Sequence, residues 1–143
     1  MLITETEMPL VAMDFMNEVH KEEVDLINAM FEKVLAYEQD DSDENALAID
    51  TVYEEWYTHT LAHFKGEEDK MIELKFMPYP LHKQEHDKAL ARMDEVRDHW
   101  QKTKDARSLK MYLIEELPTW LTQHIATLDT VTARFFHTPA AFG

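Results

Sequence analysis

His63 and Glu67 stand four residues apart, and so do His82 and His86; His20 precedes both pairs, and His124 with Asp129 follows them. On an α-helix a four-residue step turns a side chain by only about 40° and lifts it about 6 Å, so both members of such a pair point at one site. Neutral imidazole is a ligand for iron, copper, zinc and nickel, and a carboxylate can bridge two cations while balancing their charge. Five histidines and two carboxylates in four groups can close around two metal ions, provided the chain brings the groups together.

The elements that must do so are helices. Only two glycines occur, Gly66 and Gly143, and the apolar residues recur at intervals of three and four, which leaves little room for strands. Phe15, Val19, Leu26, Met30 and Val34 form a stripe, widened by Val24, Ile27, Phe31 and Leu35, and predict a helix from about Asp14 to Tyr37. The polar run from Glu38 to Asn45 reads as a loop in which Ser42 or Asp43 caps a second helix, from about Glu44 to Lys75. Pro78 and Pro80 end that helix. A third runs from about Leu81 to Lys102 and a fourth from about Arg107 to Phe136, with Pro118 expected to bend it by removing the amide that would bond the Ile114 carbonyl. The fold class is all-α, an up-and-down antiparallel four-helix bundle. Alternating helix direction then carries all four ligand groups to the same end; a group at the wrong end of its helix would lie roughly 20 to 30 Å away.

Composition narrows the setting. The 143 residues, 45% of them hydrophobic, suit one domain, with a core over about 14–136 and a tail over 137–143, and suffice for a packed interior without disulfides. Fourteen Lys and Arg against 29 Asp and Glu give a net charge of -15, which repels phosphate backbones and anionic membranes, so neither nucleic acid nor membrane insertion is expected. With no cysteine, a metal must be held by nitrogen and oxygen. No run approaches the length of a membrane span, and the N-terminus lacks the basic start and apolar core of a signal peptide; a soluble cytoplasmic protein is expected.

The segments VHKEEVDLIN around His20, HFKGEEDKM around His63 and Glu67, YPLHKQEH around His82 and His86, and WLTQHIATLD around His124 and Asp129 resemble the hemerythrin family in its single-domain bacterial form. The likeness spans about Asp14 to Phe136. It implies a non-haem di-iron centre, two iron ions in the ferrous or ferric state, bridged by Glu67 and Asp129 and by an oxo or hydroxo group. The five histidines would be terminal ligands, and one open position would bind O2 reversibly. Three departures stand out. The stretch before His20 reads MPLVAMDF where the family often has a Trp; His59, one turn before His63, replaces an aromatic or aliphatic residue; and Pro118 interrupts the fourth helix.

The ligand types make chemical sense on their own. Two ferrous ions can each give one electron to O2, and reversibility requires a dry, apolar cavity with few proton donors. Phe64, Trp120 and Leu121 are the candidate walls, with ordinary core packing as their plainer role. A single histidine such as His20 would more often be a satisfied core residue, and His82 with His86 would pass for a charged surface; it is the pairs in register that favour metal. His99 and His137 have no partner at helical spacing and read as surface residues, and so do the acidic runs, Glu67 apart.

Rival motifs fit less of the chain. No histidine has Glu three residues before it, which removes the ferritin-like ligand set. His82 to His86 matches the H-x-x-E-H pattern of zinc peptidases with Glu85 as base, yet leaves His20, His63, His124 and Asp129 without purpose. The expected function is O2 storage or delivery to an oxygen-consuming enzyme, without catalysis of its own. The alternative is an O2 or redox sensor, or a di-iron enzyme reducing peroxide or nitric oxide. A sensor would need an output domain, and an enzyme a polar group facing the cavity, for which His59 and Thr122 are the candidates.

Overall fold

The computed structural model describes residues 14–75 and 79–129, in four helical stretches. Helix α1 is Asp14–Gln39, α2 is Asp43–Glu73 and α3 is Tyr79–Thr103. The fourth stretch is composite: α4 (Ala106–Met111), a π-helical turn Tyr112–Glu116, α5 (Leu117–His124) and a second π turn Ile125–Asp129. Each stretch packs on its neighbour in sequence, and the fourth closes against α1, giving the all-α four-helix bundle.

The helices begin where side chains can satisfy their free amides. Ser42 caps α2 by accepting from the Asn45 amide at 3.2 Å, and Asp105 caps α4 by accepting from Ser108 at 3.1 Å. The buried face of α1 carries His20, Glu23, Val24, Ile27, Met30 and Val34, while Val19, Leu26, Phe31 and Leu35 are half-buried. From Val19 onward the apolar stripe thus faces the core as its spacing predicts, the Phe15 side chain lying outside the described residues, and the same face brings His20 and Glu23 inside. The far end of the bundle is closed by aromatic groups with a polar handle. Tyr53 donates to the Met93 carbonyl at 2.6 Å, and Trp100 donates to Asp50 at 2.8 Å while meeting Tyr37 edge-on.

Pro118 does not leave one continuous α-helix. The Leu117 amide bonds the Tyr112 carbonyl, five residues back. A proline cannot donate to the carbonyl four residues before it and crowds that turn, and one wide turn accommodates both effects. Phe76 to Pro78, the start before Asp14, and residues 130–143, including the expected end of helix four, the tail and His137, lie outside the described residues. Among the described residues no helix is long and apolar enough to cross a membrane.

Candidate metal centre

All seven predicted ligands are buried at one end of the bundle. They form two groups that share a carboxylate: Glu67, His82, His86, His124 and Asp129 in one, His20, His63 and Glu67 in the other, with the ligand atoms of each group within 4.8 Å of one another. Asp129 reaches both. Its Oδ1 lies 2.9 Å from His82 Nε2 and 3.1 Å from His124 Nε2, and its Oδ2 lies 3.0 Å from His20 Nε2. Glu67 Oε1 is likewise 3.2 Å from His63 Nε2 and 3.4 Å from His86 Nε2. Both carboxylates therefore span a three-histidine side and a two-histidine side, and the second has one donor fewer.

A four-residue step on α2 and α3 aligns His63 with Glu67 and His82 with His86. His124 and Asp129 are five apart, which on an α-helix would turn Asp129 about 140° away from His124. The π turn Ile125–Asp129 makes five residues close to one full turn, so the carboxylate returns to the face of His124. Sequence spacing did not reveal this, because the extra residue has no compositional mark.

The fit to cations can be tested on unsatisfied atoms. Among the described residues, eight buried side-chain polar atoms lack a hydrogen-bond partner, and all belong to this set. Both Glu67 oxygens are among them, and so are His63 Nε2, His86 Nε2 and Asp129 Oδ1, which with Glu67 Oε1 converge in the contacts above. Buried polar atoms are ordinarily paired, so nitrogen lone pairs and carboxylate oxygens gathered here without partners suit metal ions. Burial lowers the His86 imidazole to about 2, helped by His82 and His124, and lowers His63 to about 4; both rings are neutral and able to ligate. Glu67 is pushed well up by burial and by Asp129 across from it. Burial acts upward on Asp129 too, but the imidazoles of His124, His20 and His82 beside it outweigh that and hold the carboxyl well below its usual range.

Supporting groups surround the ligands. Glu68 accepts from His86 Nδ1 at 2.9 Å and is half-buried, so it is not the solvated residue that its acidic run suggested. Phe64 stacks on His86 with ring centres 3.8 Å apart, and Trp120 stacks on His124 at 4.6 Å. Phe64, Trp120 and Leu121 all line a cavity of about 220 Å3 that reaches His63, His124 and Asp129. Thr122 is exposed and has no part in it.

Glu23 is a buried carboxylate of the cavity wall that sequence reasoning missed. It is 4% exposed and accepts from Trp56 at 2.6 Å, Thr60 at 2.8 Å and His59 Nδ1 at 2.8 Å. His59 Nε2 meets Glu22 at 3.0 Å, and hydrogen bonding to Glu23 is the main cause that raises this imidazole to about 8. The signal was available: Glu23 follows His20 by three residues, on the same helical face, inside a run that otherwise looks like a charged surface. His99 is exposed, as expected, with Asp105 3.7 Å away.

A family model, the hemerythrin HHE cation binding domain, matches residues 11–134. The chain belongs to the hemerythrin family. A bacteriohemerythrin of Aquifex aeolicus is 34% identical over 134 residues, covering 94% of this chain and 97% of the relative. A bacteriohemerythrin of Ralstonia nicotianae is 38% identical over 72 residues, half of each chain. No solved structure matches the chain at comparable stringency. The HHE match runs through all four ligand groups, so this hemerythrin-family chain carries its candidate cation site within the matched span.

Proposed function

We propose that this hemerythrin-family chain binds O2 reversibly at a di-iron centre held by His20, His63, Glu67, His82, His86, His124 and Asp129, as a store or a carrier to an oxygen-consuming enzyme. The observation that carries the reading is the sharing of Glu67 and Asp129 between a three-histidine and a two-histidine group. Two adjacent cations of unequal coordination are what such an arrangement suits, with room for an outside ligand on the poorer side. Iron held by these residues would supply the redox chemistry that O2 binding needs, two electrons from two ferrous ions. The chain's own residues do the rest. Glu67 and Asp129 offset the charge of the ions, the neutral imidazoles fix their positions, and Glu68 orients the His86 ring. Phe64, Trp120 and Leu121 keep water from the cavity wall beside His63 and His124. The names of the two relatives support the same assignment.

A second reading, reduction of peroxide or nitric oxide, is favoured by Glu23. Such turnover consumes protons at the cavity, and Glu23 is a buried carboxylate on its wall, joined through His59 to the bundle surface. Anaerobic reconstitution with ferrous iron distinguishes the two. Two irons per chain and a visible charge-transfer band that appears in O2 and disappears on its removal establish the carrier. Two irons with irreversible oxidation establish the second reading, and a chain that takes up no iron overturns both.

A further inference from the structure

The cavity beside the metal centre is several times larger than a diatomic gas requires. Its 220 Å3 or so compare with about 30 Å3 for one water in the liquid and with cavities of about 150 Å3 that hold benzene. Its body is apolar and aromatic, with Trp56, Phe64, Met93, Tyr112, Trp120 and Leu121 among its walls. Its mouth lies between α3 and the fourth stretch, where the exposed Lys88, Arg92 and Glu116 contribute to the lining. At the buried end stands Glu23. Oε1 already accepts from Trp56 and Thr60, and Oε2 from His59. A carboxylate offers about four acceptor positions, so three bonds leave one acceptor position on this lining residue. A buried carboxylate also repels an anion.

We propose that this cavity is a binding site for a neutral aromatic molecule of one or two rings carrying a single N–H or O–H donor, its ring among Trp56, Phe64 and Trp120 and its donor on Glu23. Offset and edge-on contacts with the aromatic walls hold the ring, and the charge-assisted bond to Glu23 fixes its direction. The inference goes beyond the O2 reading and does not depend on it, because it requires the cavity and Glu23 and not any redox step.

The test is calorimetric titration of the full chain as purified, its iron counted, with indole as the probe. N-methylindole, which keeps the ring and loses the donor, and benzoate, an anion, serve as comparisons. Indole is expected to bind one to one and saturably, N-methylindole about tenfold or more weakly, and benzoate without measurable heat. Ala89→Phe, on the α3 side of the cavity, is expected to abolish indole binding while the far-UV circular dichroism stays that of the parent. Leu117→Phe, on the opposite side, replaces it if that variant misfolds. Absence of saturable indole binding, equal affinity for N-methylindole, or undiminished binding in a folded cavity-filled variant would each overturn the proposal. Since none of these readouts involves O2, failure of the oxygen reading leaves the result intact.

Discussion

The Nδ1 of His86 is held by Glu68 at 2.9 Å, so the ring cannot swing its Nε2 away from Glu67 without breaking a contact on its other side. Partners of this kind orient a ligating imidazole and raise its basicity, and their loss typically costs 10- to 100-fold in metal affinity. Glu68→Gln is therefore expected to weaken iron binding by about that factor with the fold intact, as read by competition against a chelator; unchanged affinity would reduce Glu68 to a surface carboxylate. His59 carries a different expectation. Its folded value of about 8 lies above the ordinary 6.5, chiefly through Glu23, so it holds its proton more tightly folded than unfolded. Its contribution to stability is whole below about pH 6.5 and is lost as pH rises through about 8. Urea midpoints measured across that window should fall with pH in the parent, and Glu23→Gln should flatten the slope. The clustering of the seven candidate ligands was legible in the sequence because imidazoles and carboxylates at helical spacing are rare by chance. Glu23 and Glu68 were not, because each adjoins other acidic residues and only packing separates a buried carboxylate from a solvated neighbour.

At the scale of elements, helices α1 to α3 follow from their apolar periodicity and end within a few residues of the sequence expectation. Ser42 caps where a cap was expected. The fourth stretch is where periodicity alone falls short. Pro118 announces a disturbance, but the sequence does not say whether the chain kinks or inserts a wide turn, since both relieve the same clash. The turn Ile125–Asp129 matters more, because it adds one residue to the register between His124 and Asp129. This gives a paired prediction on indels. Deleting the exposed Ala126 puts the two candidate ligands four apart, a spacing an ordinary α-turn aligns, and should keep two irons per chain. Inserting one alanine after Ala126 puts them six apart, which turns the carboxylate well away from His124 on either kind of helix, and should lower the iron count. Equal iron content in the two variants would mean that the π turn does not set the position of the carboxylate.

The whole molecule concentrates its polar cost at one end. The far end is closed by Tyr53, Trp100 and apolar side chains with their hydrogen bonds made, whereas the metal-centre end holds the eight unsatisfied buried atoms. Leu121, 5% exposed, stands on the cavity wall at that end. Leu121→Ala should retain both irons and oxidise faster in air, and an oxidation rate equal to the parent's would refute the dry-wall role. On the proposed reading the same asymmetry couples folding to metal binding. Buried polar atoms without partners destabilise the folded state, and a ligand bound only by the folded chain stabilises it, by about 2.7 kcal/mol when present at a hundredfold excess over its dissociation constant. For a chain of this size each kcal/mol moves the melting temperature by about 2 to 4 °C, so chelating the iron should lower Tm by roughly 5 to 11 °C. A bundle whose buried histidines were merely structural would melt at the same temperature with and without chelator. Thermal melts of the iron-loaded and chelated chain, with iron counted in each, separate these cases, because only a site completed by metal couples the end that holds the seven candidate ligands to the stability of the whole.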